Sequence, residues 1–263
     1  MKTKIKYKGE ELNTSIKVEH LTYEEFKQIQ SEYLEKPSKE EVIKQLKKIH
    51  NGGTQMNKIV DYFLKFVMGE VVVGNSKWSV NDVFKSKDVM EYFYSKSLLN
   101  EKVFNSDSKM KNIMTAIRLG GKNVATKATN FPIKSVREIL ELYNVNNNYY
   151  DFSCGWGARM LGSLSCGINY YGTDPNYMLT KRLKLIEIAY KQANNVDTIV
   201  DIKTQGSEIF IPEWENKIGV AFSSPPYFDF EDYKVGNQSI NYGNYDKWKE
   251  LYFVPTIENI KNT

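Results

Sequence analysis

The chain has 263 residues, a mass of 30.5 kDa and a net charge of +4, with 41% hydrophobic and 26% charged residues. This composition is typical of a globular protein. It excludes a membrane-embedded class, because no apolar run approaches the roughly 18 residues that a spanning helix needs. Two cysteines and two histidines are too few for a disulfide framework or a structural zinc site, so no metal is predicted. The charged start lacks a following apolar core, and we therefore expect a cytoplasmic protein.

Residues 1–125 are predicted to form a mainly helical N-terminal region. Thr22 stands three residues before Glu25, a capping-box pattern that predicts the start of an amphipathic helix. A second helix is predicted to begin near Pro37 and to be ended by Asn51-Gly52-Gly53. Residues 71–73 fit either a short strand or the last turn of a helix. This region holds no motif that indicates a chemical activity.

From residue 131 onward, strands alternate with helices. Pro132 fits the first turn of a helix, where its missing N–H is not needed. Strands are predicted at residues 149–152, 169–174, 198–203 and 217–222, and helices at residues 159–164 and 178–193. This alternation predicts a parallel, doubly wound sheet. The predicted fold class is therefore α/β, with a second domain at residues 126–263.

A glycine-containing loop follows the first predicted strand and reads Asp151-Phe152-Ser153-Cys154-Gly155-Trp156-Gly157. Glycine allows a sharp turn and a close approach of ligand to backbone. Asp174 ends the next strand, 23 residues beyond Asp151, where an acidic side chain accepts hydrogen bonds from ribose hydroxyls in nucleoside-binding α/β folds. The third glycine of the dinucleotide fingerprint is missing, which disfavours NAD. The alternative for Asp174 is a turn residue before Pro175.

A second motif, Ser224-Pro225-Pro226-Tyr227, follows the last predicted strand. The two prolines fix φ and remove competing N–H donors, so the backbone carbonyl geometry is preset. The Ser224 hydroxyl and the Pro225 carbonyl can then accept hydrogen bonds from an amino group on a heteroaromatic ring, and Tyr227 can stack on that ring. The alternative is a Pro-Pro turn that merely ends a strand.

The two motifs, in this order, resemble those of the amino-group DNA methyltransferases, which transfer a methyl group from S-adenosylmethionine to N6 of adenine or N4 of cytosine. The resemblance implies a Rossmann-like methyltransferase sheet and a DNA substrate whose target base is flipped out. Phe152 and Trp156 stand where the family usually has proline and serine, which indicates a divergent relative. The catalytic residues implied are Ser224, Pro225, Pro226 and Tyr227.

The same resemblance implies a set of cofactor-binding residues. Residues 129–132 are similar to the family's additional cofactor motif, and residues 205–207 occupy the position where the family contacts adenine. The implied S-adenosylmethionine contacts are Asp151, Ser153, Gly155, Gly157, Asp174, Phe131, Pro132 and Ser207.

Only 39 residues follow Ser224, whereas the family normally has further strands there. We therefore expect an incomplete sheet and a truncated or split gene product. DNA recognition would then come from the N-terminal region, a missing C-terminal part or a complementary subunit. Two alternatives stay open: an inactive or split-subunit fragment that binds cofactor or a partner chain, and an N-methyltransferase acting on RNA or a protein amide. Divergence and a Lys/Asn-rich composition favour a phage or mobile-element source, with or without a restriction partner.

Overall fold

The computed structural model describes residues 3–14, 16, 18–97, 108–118 and 124–263. Its strands are β1 (Thr3–Tyr7), β2 (Glu10–Thr14), β3 (Val72–Val73), β4 (Asn148–Asp151), β5 (Asn169–Thr173), β6 (Val200–Lys203), β7 (Val220–Ala221) and β8 (Glu231–Asp232). Its α-helices are α1 (Tyr23–Leu34), α2 (Lys39–His50), α3 (Asn57–Ile59), α4 (Lys65–Gly69), α5 (Val80–Lys85), α6 (Lys87–Ser97), α7 (Lys109–Arg118), α8 (Ile133–Leu142), α9 (Ala158–Ser165), α10 (Tyr177–Asn194), α11 (Tyr245–Trp248) and α12 (Val254–Asn262). Two π-helical turns, Val60–Leu64 and Lys249–Phe253, and two 3₁₀ turns, Pro212–Trp214 and Ser239–Tyr242, complete the secondary structure of the described residues. None of the described helices is both long and apolar enough to span a bilayer.

The chain divides into two compact units that interleave in sequence. Unit 1 contains Met1–Glu35, Met68–Ala128 and Phe230–Lys234, and unit 2 contains Lys36–Val67, Thr129–Asp229 and Val235–Thr263. Residues 36–67 thus pack with the sheet-forming part of the chain. A compact unit is not by itself an independently folding domain, so the predicted boundary at residues 125–126 stays a prediction.

Unit 1 is built around one hydrophobic core. Helices α1, α5, α6 and α7 surround buried side chains such as Phe93 and Ile113. The capping box predicted at Thr22 and Glu25 is confirmed at the start of α1. Strands β1 and β2 form an antiparallel hairpin that was not predicted. The ambiguous residues 71–73 contain strand β3, which pairs antiparallel with β8.

Unit 2 contains a four-stranded parallel sheet with the strand order β6-β5-β4-β7. The prediction of an α/β fold with a parallel sheet is confirmed. Strand β4 lies inside the sheet, and the chain extends from it first toward β5 and β6 and then, on its other side, to β7. Strand β7 has only two residues, whereas the sequence pattern predicted six at 217–222.

Four tyrosines of β4 and β5 show how the sheet is covered on both faces. Successive side chains of a strand point to opposite faces. Tyr149 and Tyr170 therefore share one face, with ring centroids 5.7 Å apart. Tyr150 and Tyr171 share the other face, where each ring packs edge-on against Trp214 at 5.4 Å. All five side chains are buried, as expected for a parallel sheet packed on both faces.

Arg137 of α8 joins α2 to the sheet-covering helices. Its guanidinium donates hydrogen bonds to the carbonyls of Ile49 (2.5 Å), Gly52 (2.8 Å) and Gly53 (3.0 Å), and to Ser165 Oγ at the end of α9 (2.8 Å). The last carbonyls of a helix lack partners within the helix and carry partial negative charge, so a cation is well placed there. This contact adds to the packing of α2 against α10 and α9, which places residues 36–67 in unit 2.

We expect Arg137→Ala to lower the free energy of unfolding by about 2 kcal/mol, because charge-assisted bonds to the end of α2 are lost. Urea unfolding followed by circular dichroism measures the change. Lys134→Ala is the matched control on the same helix: Lys134 is exposed and forms a 3.4 Å ion pair with Glu138. Its loss should stay under about 0.5 kcal/mol. Equal losses in the two variants would contradict this role for Arg137.

Candidate active site

Parallel pairing brings four loops to one edge of the sheet. The glycine-containing loop follows β4, Asp174 follows β5, Ser207 follows β6, and residues 224–227 follow β7. The chain runs from β4 to β5 and β6 on one side and returns as β7 on the other side of β4, so the strand order changes direction between β4 and β7. In open α/β sheets, ligands bind in the crevice that such a change of direction creates. The predicted site residues thus lie along one edge.

Asp151 is the buried centre of this edge. Its Oδ2 accepts hydrogen bonds from Arg159 Nε at 2.9 Å and from the Tyr170 hydroxyl at 2.8 Å, and its Oδ1 accepts one from Ser223 Oγ at 2.6 Å. Burial alone would lower the pKa of Arg159, but the charge of Asp151 raises it above its ordinary value. The Asp151 side chain is fully buried and hydrogen-bonded to these three neighbours. Asp151 is therefore an anchor in this structure, and a direct contact with the cofactor stays a prediction.

The backbone of the glycine loop has a conformation that residues other than glycine adopt only with strain. Gly155 and Gly157 have φ of 54° and 81°, in the left-handed region that favours glycine. A Cβ atom at Gly157 would also lie 2.8 Å from Leu183 Cδ2. Arg159 Nη2 donates to the Ser153 carbonyl and holds the loop closed. No described side chain caps the N-terminus of α9 directly after Gly157.

Cys154 and Trp156 of the same loop point inward. Their side chains are 1% and 8% exposed. Burial raises the pKa of the Cys154 thiol well above its usual value, so the reactive thiolate is disfavoured. Cys154 is therefore a packing residue rather than a nucleophile.

Asp174 lies against the glycine loop and is partly exposed. Its Oδ1 accepts a hydrogen bond from the Asn176 amide at 2.9 Å, and the backbone amide of Gly155 also donates to it. Burial raises the pKa of Asp174 to about 7, and the charge of Asp151 adds to this rise. The two amides and Arg159 act in the opposite direction. The edge thus holds a carboxyl group that titrates near neutral pH.

The loop that contains the Pro-Pro motif is anchored directly before Ser224. The Tyr149 hydroxyl donates to the Phe222 carbonyl at 2.7 Å, and Ser223 Oγ donates to Asp151. Tyr227, beyond the prolines, is 63% exposed. The base of this loop is therefore fixed to β4, while its aromatic tip presents a large surface to solvent.

The segment of residues 129–132 packs against Arg159 and against Phe222 at the end of β7. The Phe131 ring packs edge-on against Phe222 at 5.4 Å, and the Arg159 guanidinium lies 5.7 Å from the Phe131 centroid. Pro132 is exposed and is the N-cap of α8. It was predicted to lie in the first turn of this helix, which begins one residue later. Asn130 Oδ1 is buried without a hydrogen-bond partner among the described residues. The structure thus brings Phe131 to the glycine loop and to the end of β7.

Ser207 and Ser153 face the end of the chain. Ser207 is 2% exposed, and its hydroxyl lies 3.0 Å from Thr256 Oγ1 and 3.4 Å from the Tyr252 hydroxyl. Ser153 Oγ lies 3.3 Å from the same tyrosine hydroxyl. The Ser207 hydroxyl already has partners inside the protein, and its predicted contact with cofactor stays a prediction.

Four residues that organise this edge were not among the predicted site residues: Arg159, Tyr170, Ser223 and Tyr252. Arg159 could have been predicted from the sequence. It lies in the first turn of the helix that follows the glycine loop, and from there a cationic side chain can reach the aspartate at the start of that loop. Ser223 directly precedes the Pro-Pro motif but resembles any serine in a turn. Tyr252 carried no local signal.

The described residues contain no group of three or more His, Cys, Asp or Glu side chains placed to hold a metal ion. No protein-family model matches the sequence, and a comparison with curated proteins finds no significant match. Inference about function therefore depends on the motifs and on the geometry of this edge.

Replacing Asp151 with asparagine should lower the free energy of unfolding by about 3–5 kcal/mol, because Arg159 would be left buried without its counter-charge. The control is Asp201→Asn in β6, where the carboxylate is partly exposed and accepts from Trp214 Nε1 at 2.8 Å. An amide oxygen can still accept that bond, so the control should lose under about 1 kcal/mol. Chemical denaturation measures both, and a small loss in Asp151→Asn would show that the pair is not an anchor.

Proposed function

We propose that the chain is an S-adenosylmethionine-dependent methyltransferase with a Rossmann-like sheet, acting on an exocyclic amino group of a DNA base, cytosine N4 or adenine N6. One observation carries the proposal: Ser223 Oγ donates to Asp151 at 2.6 Å. That bond fastens the loop of the amino-group motif to the cofactor-type loop, across adjacent strands. Two reaction partners bound by these loops would meet at the crevice beside β4.

The residues at this edge fit a nucleoside that carries a positive charge. Gly155 and Gly157 would let the ligand approach the backbone, and Asp174 would accept hydrogen bonds from ribose hydroxyls. Glu208 adds a second carboxylate, and its Oε2 is buried without a partner among the described residues. Hydrogen-bond donors and a sulfonium cation are the complement of two such acceptors. When bound, S-adenosylmethionine supplies the electrophilic methyl group.

The residues after β7 fit the amine that receives the methyl group. The lone pair of a ring-conjugated NH₂ is delocalised, so it attacks poorly. Hydrogen bonds donated by the amine to the Ser224 hydroxyl and the Pro225 carbonyl would favour a tetrahedral nitrogen. The chain's part would be to orient this nitrogen: its attack would form the nitrogen–carbon bond as the carbon–sulfur bond broke, and the extra proton on nitrogen would leave to solvent. Tyr227, with its exposed ring, would stack on a base extruded from the duplex.

Ser224→Ala should lower kcat about 10- to 100-fold and leave the Kd for S-adenosylmethionine unchanged within about twofold, since this hydroxyl would bind the amine and not the cofactor. Asp174→Ala should show the reverse pattern, with cofactor binding weakened on the order of 1–3 kcal/mol. Calorimetry measures the Kd. Labelled S-adenosylmethionine with DNA, followed by nucleoside mass spectrometry, measures turnover and identifies the methylated atom.

Parallel reactions with RNA and with protein test the substrate class. Methylation of RNA or of a protein amide in preference to DNA would contradict the DNA assignment. Binding of cofactor with no transfer to any of the three would contradict the enzymatic proposal and favour a binding or split-subunit role. If Ser224→Ala weakens cofactor binding and Asp174→Ala does not, the two role assignments are wrong.

Cofactor affinity should depend on pH through Asp174. The folded-state pKa of this carboxyl is raised to about 7, so the free protein holds its proton at pH 6 and loses it by pH 8. Ribose hydroxyls bind the ionised form, so binding releases a proton. As the pH rises toward 7, the Kd should fall about tenfold per pH unit, and above pH 7 it should level off.

The control is Asp174→Asn, which has no proton to lose. The amino and carboxyl groups of the cofactor titrate in the same way with both proteins, so only Asp174 separates the two pH profiles. Calorimetry in buffers of different ionisation enthalpy counts the protons released. Parallel profiles for the two proteins would show that Asp174 does not bind the ligand.

A further inference from the structure

We propose that Tyr252 is a positioning residue of the cofactor site, which holds Ser153 and Ser207 in place for S-adenosylmethionine. We call residues 239–263 the C-terminal segment, and the inference is that this segment forms one wall of that site. The inference rests on the proposed function and extends it to a part of the chain that carries no recognisable motif.

One hydroxyl joins two loops that are remote in sequence. Tyr252 OH lies 3.3 Å from Ser153 Oγ in the loop after β4 and 3.4 Å from Ser207 Oγ after β6. Strands β4 and β6 are not neighbours, since β5 lies between them. The tyrosine therefore spans the edge of β5, where Asp174 follows the strand. Both serines and Asp174 are predicted cofactor contacts.

The surrounding structure fixes the direction of this hydroxyl. Tyr252 is 7% exposed, and its ring packs against Trp248 at 5.8 Å and Tyr242 at 6.3 Å. It lies in the π-helical turn Lys249–Phe253, and such turns shift the side chains that follow and recur at functional sites. A ring held on two sides cannot turn its hydroxyl away at low cost.

Two residues of α12, the helix after Tyr252, also bind Ser207. Thr256 Oγ1 lies 3.0 Å from Ser207 Oγ, and Asn259 Nδ2 donates to the Ser207 carbonyl at 2.9 Å. Tyr252, Thr256 and Asn259 follow the four- and three-residue spacing that places side chains on one helix face. This face of the C-terminal segment therefore contacts the predicted cofactor loops through polar groups.

Two acidic side chains act on the Tyr252 hydroxyl. Asp174 and Glu208 both interact electrostatically with its hydroxyl, and burial raises the pKa of Tyr252 to about 12. The hydroxyl is therefore protonated across the physiological range and can donate to one serine while it accepts from the other. Two carboxylates beside a fixed hydroxyl favour a cationic, donor-rich ligand at this place.

Ser153 connects this contact to the rest of the glycine loop. Its carbonyl accepts from Arg159, and its amide lies 3.4 Å from Asp151 Oδ1. The Asp151–Arg159 pair therefore fixes the backbone of Ser153 but not its side chain. The side chain is held by Tyr252. Removal of the tyrosine hydroxyl should leave the fold in place but release the Ser153 side chain and leave the Ser207 hydroxyl with Thr256 as its remaining partner among the described residues.

The test compares Tyr252→Phe with Tyr190→Phe by calorimetric titration of S-adenosylmethionine. Tyr190 is a matched control in the same unit: its ring is fully buried, and its hydroxyl lies 2.9 Å from His50 Nδ1. Tyr252→Phe should weaken binding about tenfold, as expected for one buried hydrogen bond, and Tyr190→Phe should stay within about twofold of wild type. In turnover assays Tyr252→Phe should raise KM for the cofactor and leave kcat unchanged within about twofold.

Unchanged cofactor affinity in Tyr252→Phe would overturn the inference and leave the proposed function intact. Tighter binding would also overturn it, because the tyrosine would then be an obstacle that the ligand must displace. A wild-type protein that does not bind S-adenosylmethionine would overturn the proposed function, and this inference with it. If Tyr252→Phe fails to fold, Thr256→Val replaces it, because Thr256 holds Ser207 and is not itself a predicted cofactor contact. Loss of affinity in Thr256→Val but not in Tyr190→Phe supports the inference that the C-terminal segment forms a wall of the site, and equal affinities overturn it.

Discussion

The buried pair of Asp151 and Arg159 is the interaction on which the rest of the site depends. Taking two charges out of water costs several kcal/mol for each ion, and the structure offsets this cost by giving each carboxylate oxygen a close donor. Those donors come from α9, from β5 and from the loop after β7. The pair therefore determines where the glycine loop lies relative to Ser223, and through Ser223 it determines where the Pro-Pro motif begins.

Two aspartates at the ends of adjacent strands have different environments and, in our account, different tasks. Asp151 is fully buried beside a guanidinium, whereas Asp174 is partly exposed and has backbone amides as its nearest donors. Burial without a full counter-charge raises the pKa of Asp174 to about 7. A carboxyl group in that condition gains most from a ligand that donates hydrogen bonds. Asp151 organises this edge of the sheet, and we propose that Asp174 is the group that binds the ligand.

Local signals in the sequence predicted the parts of the fold that local physics determines. Gly155 and Gly157 mark a turn with positive φ, and alternating strands and helices predicted the parallel sheet and hence the shared edge. The sequence could not predict contacts between remote residues, such as Ser223 with Asp151 or Tyr252 with Ser153, because no local pattern encodes them. The β1–β2 hairpin had a local signal that was overlooked: Lys4 and Lys6 alternate with Thr3, Ile5 and Tyr7, and Lys8-Gly9 forms a two-residue turn with positive φ at both positions. A capped amphipathic helix such as α2 likewise does not reveal which unit it joins, since that depends on its packing against the remote helices α9 and α10.

Photolabelling with tritiated S-adenosylmethionine, followed by peptide mapping, tests the central claim most directly. Ultraviolet irradiation of the complex should attach label to peptides that contain residues 151–159, 174–176, 205–208 or 252, and excess S-adenosylhomocysteine should prevent the labelling. That result would place the cofactor along the carboxyl edge of the sheet, between the glycine loop and the C-terminal segment. Absence of competed label, or competed label only on peptides of unit 1, would contradict the account.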